Sequence, residues 1–114
     1  MSETIFDKIL SGEIPSTKVY EDDDIYAFRD INPAAPVHVL VIPKLKITGF
    51  KDLKGLSESE IGKFIKGVSK VAGELGLDND GYRIVFNQGK HGQQTVDYIH
   101  AHIIGGRQLT WPPG

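Results

Sequence analysis

The segment from Ser57 to Gly76 most constrains the fold. Ser57-x-x-Glu60 has the form of a capping box, and Ile61, Phe64, Ile65, Val68, Val71, Ala72 and Leu75 follow at helical spacing. Gly76 is the stop. A stripe of this kind needs an apolar surface to cover, because burial of one face is the usual source of helix stability. A shorter helix is expected ahead of it. Thr4 caps it, Asp7 sits near its positive end, Ile5, Phe6, Ile9 and Leu10 share a face, and Gly12 and Pro15 end it.

The surface for these helices comes from five stretches that read as strands. Residues 17–21 and 25–29 flank the turn-forming run Asp22-Asp23-Asp24 and imply a hairpin. That run lacks the spaced oxygens and terminal Glu of a calcium loop, so it is expected to be a solvated turn. Residues 38–42, 82–86 and 98–104 complete the set. The order β-β-β-α-β-β behind a leading helix implies an α+β fold, a five-stranded antiparallel sheet with two helices packed on it.

At 114 residues the chain suits one domain, residues 1–114, with residues 105–114 reading as a tail. A formal net charge of -2 gives no reason to expect a nucleic-acid or acidic-membrane binder. The start, Met-Ser-Glu-Thr-Ile-Phe-Asp-Lys, has no basic n-region and no long apolar run, so no secretory signal is expected. The apolar stretch at residues 37–43 is interrupted by His38 and too short to span a bilayer. These features imply a cytoplasmic protein. With no cysteine there is no thiolate nucleophile and no Cys-based zinc site.

The chemistry must therefore come from other groups, and four histidines are available. His100 and His102 project from one face of the last strand together with Tyr98, while Ile99, Ala101 and Ile103 turn to the core. Such a pair can ligate a metal, act as nucleophile and acid or base, or fill a half-polar surface; the spacing alone does not choose. The loop before it, residues 87–95, carries Asn87, Gly89, Lys90, Gly92, Gln93, Gln94 and Thr95. Its glycines let backbone N–H groups approach an anion, and its amides and hydroxyl add donors. An ordinary hairpin loop is the alternative. Asp30 could accept two bonds from a ribose diol or serve the turn marked by Asn32-Pro33. His38 opens the third strand, where a lone histidine is more often structural than catalytic.

Together these segments resemble the histidine triad (HIT) superfamily and, within it, the HINT branch of nucleoside phosphoramidate hydrolases. The likeness runs through Thr4-Ile5-Phe6-x-Lys8-Ile9, Ala27-Phe28-Arg29-Asp30-Ile31-x-Pro33, residues 35–43, Gly81-Tyr82-Arg83 and the ending Gly105-Gly106-Arg107-Gln108-x-x-Trp111-Pro112-Pro113-Gly114. The family motif, His-x-His-x-His and two apolar residues, stands here as Tyr98-Ile99-His100-Ala101-His102-Ile103-Ile104. Its first histidine is a tyrosine.

The resemblance implies that His100 is the nucleophile, that His102 lies near the phosphate and that His38 completes the site. It implies phosphate binding by Asn87, Gln93, Gln94 and Thr95, with Gln93 where glycine is usual. Asp30 corresponds to the ribose ligand, and Phe6, Ile9, Ile31 and Leu40 to the purine pocket. It further implies release of AMP from an adenosine phosphoramidate, and a homodimer whose sheets join, with the C-terminal tail at the interface. No cofactor and no metal are expected, because Thr4 and Asp7 stand where some relatives carry zinc-binding cysteines. Two other functions remain open at this point. One is a purine-nucleotide-binding protein with weak turnover because of Tyr98. The other is a metal-dependent hydrolase using His38, His100 and His102.

Overall fold

The sheet grows outward from its most apolar strand. In the computed structural model, which describes residues 3–114, the strands are β1 (Lys18–Glu21), β2 (Ile25–Arg29), β3 (Val37–Pro43), β4 (Tyr82–Val85) and β5 (Ala101–Gly105). They form one sheet in the order β1-β2-β3-β5-β4, with every neighbouring pair antiparallel. Central β3 is buried from His38 to Pro43, because neighbours pair with it on both edges and layers cover both faces. The expected hairpin joins β1 to β2. Its acidic turn is held by Asp22 Oδ1, which accepts from the N–H groups of Asp24 and Ile25 at 2.8 and 2.9 Å.

Two helices take opposite faces. Helix α2 (Glu58–Glu74) begins at Ser57, whose side chain accepts from Glu60 N–H while the Glu60 carboxylate accepts from Ser57 N–H. Its buried side chains Phe64, Val68, Val71 and Ala72 lie on Ile25, Ala27, Val39, Val41, Ile99, Ala101 and Ile103. Apart from Ile99, just ahead of β5, these are the alternate positions of three strands, as the period of two requires. Gly76 follows the helix at φ +75°, a left-handed stop that favours glycine. Helix α1 (Ile5–Leu10) starts with the reciprocal Thr4–Asp7 box and packs Phe6 and Ile9 on Phe28, Leu40, Ile42 and Tyr98, on the other face.

Three boundaries differ from expectation. The last strand starts at Ala101, because residues 98–100 have no ladder partner. Gly105, read as tail, closes that strand opposite Val37 and Tyr82. Between β3 and α2 lies a 3-10 helix, Phe50–Gly55, which buries only Leu53 and so lacks a repeat to announce it in the sequence. Two lysines ahead of it form ion pairs. Lys44 Nζ is 2.7 Å from Glu21, and Lys46 Nζ is 2.9 Å from Asp7 Oδ2. That same Asp7 oxygen accepts from Thr4 N–H and Thr4 Oγ1, so Thr4, Asp7 and Lys46 satisfy one another.

Candidate active site

The β3–β5 register builds the site. His38 stands opposite Ile104, and Leu40 opposite His102. All four share a face, so the two imidazoles meet on the diagonal, with His38 Nε2 2.9 Å from His102 Nδ1. The His100 ring stands alongside, its centroid 5.0 Å from that of His102. His38 and His100 are buried, with 8% and 6% of their surface exposed.

The hydrogen-bond partners decide where the protons sit. Ala34 N–H donates to His38 Nδ1 at 2.9 Å, so that nitrogen carries a lone pair and the proton is on Nε2. His38 Nε2–H then donates to His102 Nδ1, which leaves the His102 proton on Nε2. His100 runs the other way: its Nδ1–H donates to Tyr98 O at 2.8 Å, leaving Nε2 with a free lone pair. Neighbouring rings are thus held in opposite tautomers. His100 offers an electron pair and His102 offers a proton.

Asp30 Oδ2 lies 3.4 Å from His38 Nε2. With Ala34 N–H aimed at Nδ1 and the Nε2 proton pointed at His102, this contact is a close approach of the carboxylate rather than a hydrogen bond. Asp30 Oδ1 accepts from Asn32 N–H at 2.8 Å, which makes the residue part of the expected turn as well. Burial keeps the other two rings neutral. It pushes His102 down to about 4, helped by His100 and His38 and opposed by Asp30. Burial also lowers His100, outweighing the Tyr98 carbonyl and Asp30, which favour its charged form.

A cleft of about 600 Å³ opens beside these rings. Of the residues singled out in the sequence, Phe6, Ile9, Asp30, Ile31, Leu40, Thr95, His100 and His102 line it. His38 is not on its wall and stands behind His102 and Asp30. Sequence reasoning missed Ile14, Ser16, Phe28 and Val96 on its wall. Phe28 was recoverable, since it lies opposite Leu40 and alternates with core residue Ala27. Another cleft, about 610 Å³, lies at the far edge of the sheet between β4 and the tail, lined by residues such as Asp80, Arg83 and Arg107 but no imidazole.

Asn87, Gln93 and Gln94 are not on the wall of the histidine cleft, and two of them brace the loop. Asn87 Nδ2 donates to Gly92 O at 2.7 Å. Gln94 Oε1 accepts from Gly89 N–H, and its Nε2 donates to Thr48 O and Val96 O. Gly92 allows the tight fold, because a Cβ there would sit 2.5 Å from Gln88 O. Gln93 is exposed at φ +63°, a conformation that a glycine adopts without cost. As for a metal, Asp30, His38 and His102 each bring a ligand atom within 4.8 Å of the others and could hold an ion. That group takes Asp30 where the sequence reading had His100, whose Nδ1 is committed to Tyr98 O.

A family model for the HIT domain matches residues 11–109. The chain belongs to the HIT family. It is 51% identical to an adenylylsulfatase HINT1 of Arabidopsis thaliana, covering 99% of this chain and 78% of that protein. It is 47% identical to the purine nucleoside phosphoramidase of Escherichia coli K12, over 94% of this chain and 90% of the other. Among solved structures, the HIT family hydrolase of Legionella pneumophila superposes with a TM-score of 0.89 at 45% identity, over 98% of this chain and all of that one. Within this HIT chain the triad motif runs from Tyr98 to Ile104, and its first position is the buried phenol.

Proposed function

We propose that this protein is a purine nucleoside phosphoramidate hydrolase that works through a nucleotidyl intermediate on His100. The observation that carries the proposal is the pair of opposite tautomers, with a lone pair on His100 Nε2 beside a proton on His102 Nε2. The relative named purine nucleoside phosphoramidase supports the substrate class.

The base enters the apolar cleft between Phe6, Ile9, Ile31 and Leu40, and Asp30 accepts from the ribose hydroxyls. His100 Nε2 attacks phosphorus and forms a P–N bond to the ring. The P–N bond to the amine breaks, and the amine leaves with a proton relayed through His102 Nε2, which takes one back from solvent so that the ring stays neutral. Water then attacks phosphorus, gives up its proton to solvent through His102, and AMP departs with the His100 lone pair restored. Loop 87–95 supplies donors, Thr95 among them, to the phosphoryl oxygens. We further propose that residues 1–114 act as one domain and that two copies pair. Edge strand β4 has a neighbour on one side only, and Trp111 is 79% exposed in a tail tied down by Arg83 Nη2 donating to Thr110 O.

Quenching the enzyme during turnover of adenosine 5′-phosphoramidate is expected to leave a nucleotidyl group on His100, found by mass spectrometry of its peptide. A label on another residue, or turnover that chelator abolishes and zinc restores, would favour a different mechanism. The weak-binder alternative predicts no label at all.

The pH dependence follows from His100. Only its neutral form attacks, and burial lowers its pKa from 6.5. Turnover is expected to be flat from pH 7 upward through mild alkali and to fall below that range as His100 protonates. A fold-stability profile should move in the same direction. His100 and His102 take up protons more readily when unfolded, so the stability present above the unfolded value of about 6.5 is lost as pH falls toward 4. A rate that rises on acidification would contradict a neutral nucleophile.

A further inference from the structure

His100 stands outside the hydrogen-bonded ladder of the sheet. Pairing of β5 with β3 reaches only Ala101, opposite Val41, and pairing with β4 reaches only His102, opposite Val85. The ring is therefore held by what precedes it. One rigid unit is central, the peptide plane joining Tyr98 to Ile99. Its carbonyl accepts from His100 Nδ1–H at 2.8 Å. Its N–H, on Ile99, donates to Ile47 O at 2.7 Å. The side chain leading into the plane is also tied down. The Tyr98 hydroxyl donates to the carbonyl of Pro43 at the end of β3. The phenol is 1% exposed and packs edge-on against Phe6, which packs edge-on against His100 with centroids 4.9 Å apart.

We propose that Tyr98 is a positioning residue. Through its hydroxyl on Pro43 O it holds the 98–99 peptide plane in the one orientation that keeps the His100 proton on Nδ1 and the lone pair on Nε2. It does not line the cleft, so it acts through His100 rather than on the substrate. The inference rests on His100 being the nucleophile of the proposed hydrolase. The role suits a tyrosine. A buried phenol donates one bond and does not titrate near neutrality, whereas a histidine at that position would add a second imidazole with its own protonation to the pH profile. Burial moves the hydroxyl still further from neutrality, up to about 12, with the Asp7 carboxylate adding to the effect. With the hydroxyl removed, the plane is anchored to the rest of the sheet by the Ile99 N–H bond to Ile47 alone and can pivot about it, so the other tautomer of His100 becomes populated.

The test compares wild type with Tyr98→Phe and Tyr98→His. In Tyr98→Phe, kcat for adenosine 5′-phosphoramidate is expected to fall on the order of 10-fold while KM stays nearly level. In the same variant without substrate, ring-nitrogen NMR of His100 should change from one Nδ1–H tautomer to a mixture, and the Ile99 amide should exchange faster. Tyr98→His should keep turnover above the Phe variant but add a titration near neutral pH. A Phe variant with wild-type kcat and a single tautomer would overturn the proposal, even if its melting temperature dropped. Should the Phe variant not fold, the wild type decides. Its Tyr98 hydroxyl proton must appear as a slowly exchanging signal, and rapid exchange with bulk water would overturn the proposal. If wild type does not hydrolyse phosphoramidates, the functional proposal fails, yet the tautomer measurement still decides the positioning role.

Discussion

Replacing His100 by alanine is expected to reduce turnover of adenosine 5′-phosphoramidate by about 10⁴-fold or more, at least ~5 kcal/mol of barrier. Of the three clustered imidazoles, only His100 has a lone pair left for phosphorus. The Nδ1 atoms of His38 and His102 accept from Ala34 N–H and His38 Nε2–H, and their Nε2 atoms carry protons. The Nδ1 of His100 is spent on Tyr98 O, so its Nε2 is free. His102 cannot take over without surrendering the bond from His38. The cleft is otherwise intact, because Phe6, Ile9, Ile31 and Leu40 supply its apolar wall. AMP should therefore still bind to His100→Ala within a few-fold of wild type. Calorimetric titration with AMP beside steady-state assay checks both halves. Residual turnover within about 10-fold of wild type would place the nucleophile elsewhere.

His102→Ala should show a loss that depends on the leaving group. A departing amine needs a proton, and removing its donor is expected to cost about 10² to 10⁴-fold. Sulfate is a very weak base and leaves without one. Hydrolysis of adenylyl sulfate, the type of substrate named for the Arabidopsis relative, should therefore fall much less in the same variant. His38→Ala should follow the same pattern more weakly. It leaves His102 Nδ1 without its donor, so the imidazole can carry its proton on either nitrogen. Equal losses on both substrates would mean that His102 stabilises the phosphoryl group rather than protonating the amine.

Much of this site could be read before the fold was known. Strand alternation at residues 98–104 correctly separated Tyr98, His100 and His102 from the core residues Ile99, Ala101 and Ile103, because burial of one face enforces the period. The cap at Thr4 and the capping box at Ser57 formed as written, since their partners are only three residues away, and Asp7 completes a reciprocal box at Thr4 as well. Local rules were weaker where partners are distant. Gln94 looked like a phosphate donor, but its amide is spent on Gly89, Thr48 and Val96. Asp30 reads from sequence as either a ribose acceptor or a turn residue; the fold places its Oδ1 on Asn32 N–H, as the turn reading has it, and adds His38 beside Oδ2, which no local rule could supply.

By itself the sequence determined the elements, the faces and the family, because hydrophobic period, caps and an ordered set of motifs are properties of short stretches of chain. The proton arrangement was a tertiary decision. His38 and His102 are 64 residues apart and meet only through the β3–β5 register. The tautomers depend on Ala34 N–H and Tyr98 O, and the Tyr98 carbonyl is steadied by Pro43 and Ile47. A neutral imidazole has its proton on one nitrogen or the other, and only the partner beside it in the folded chain selects which.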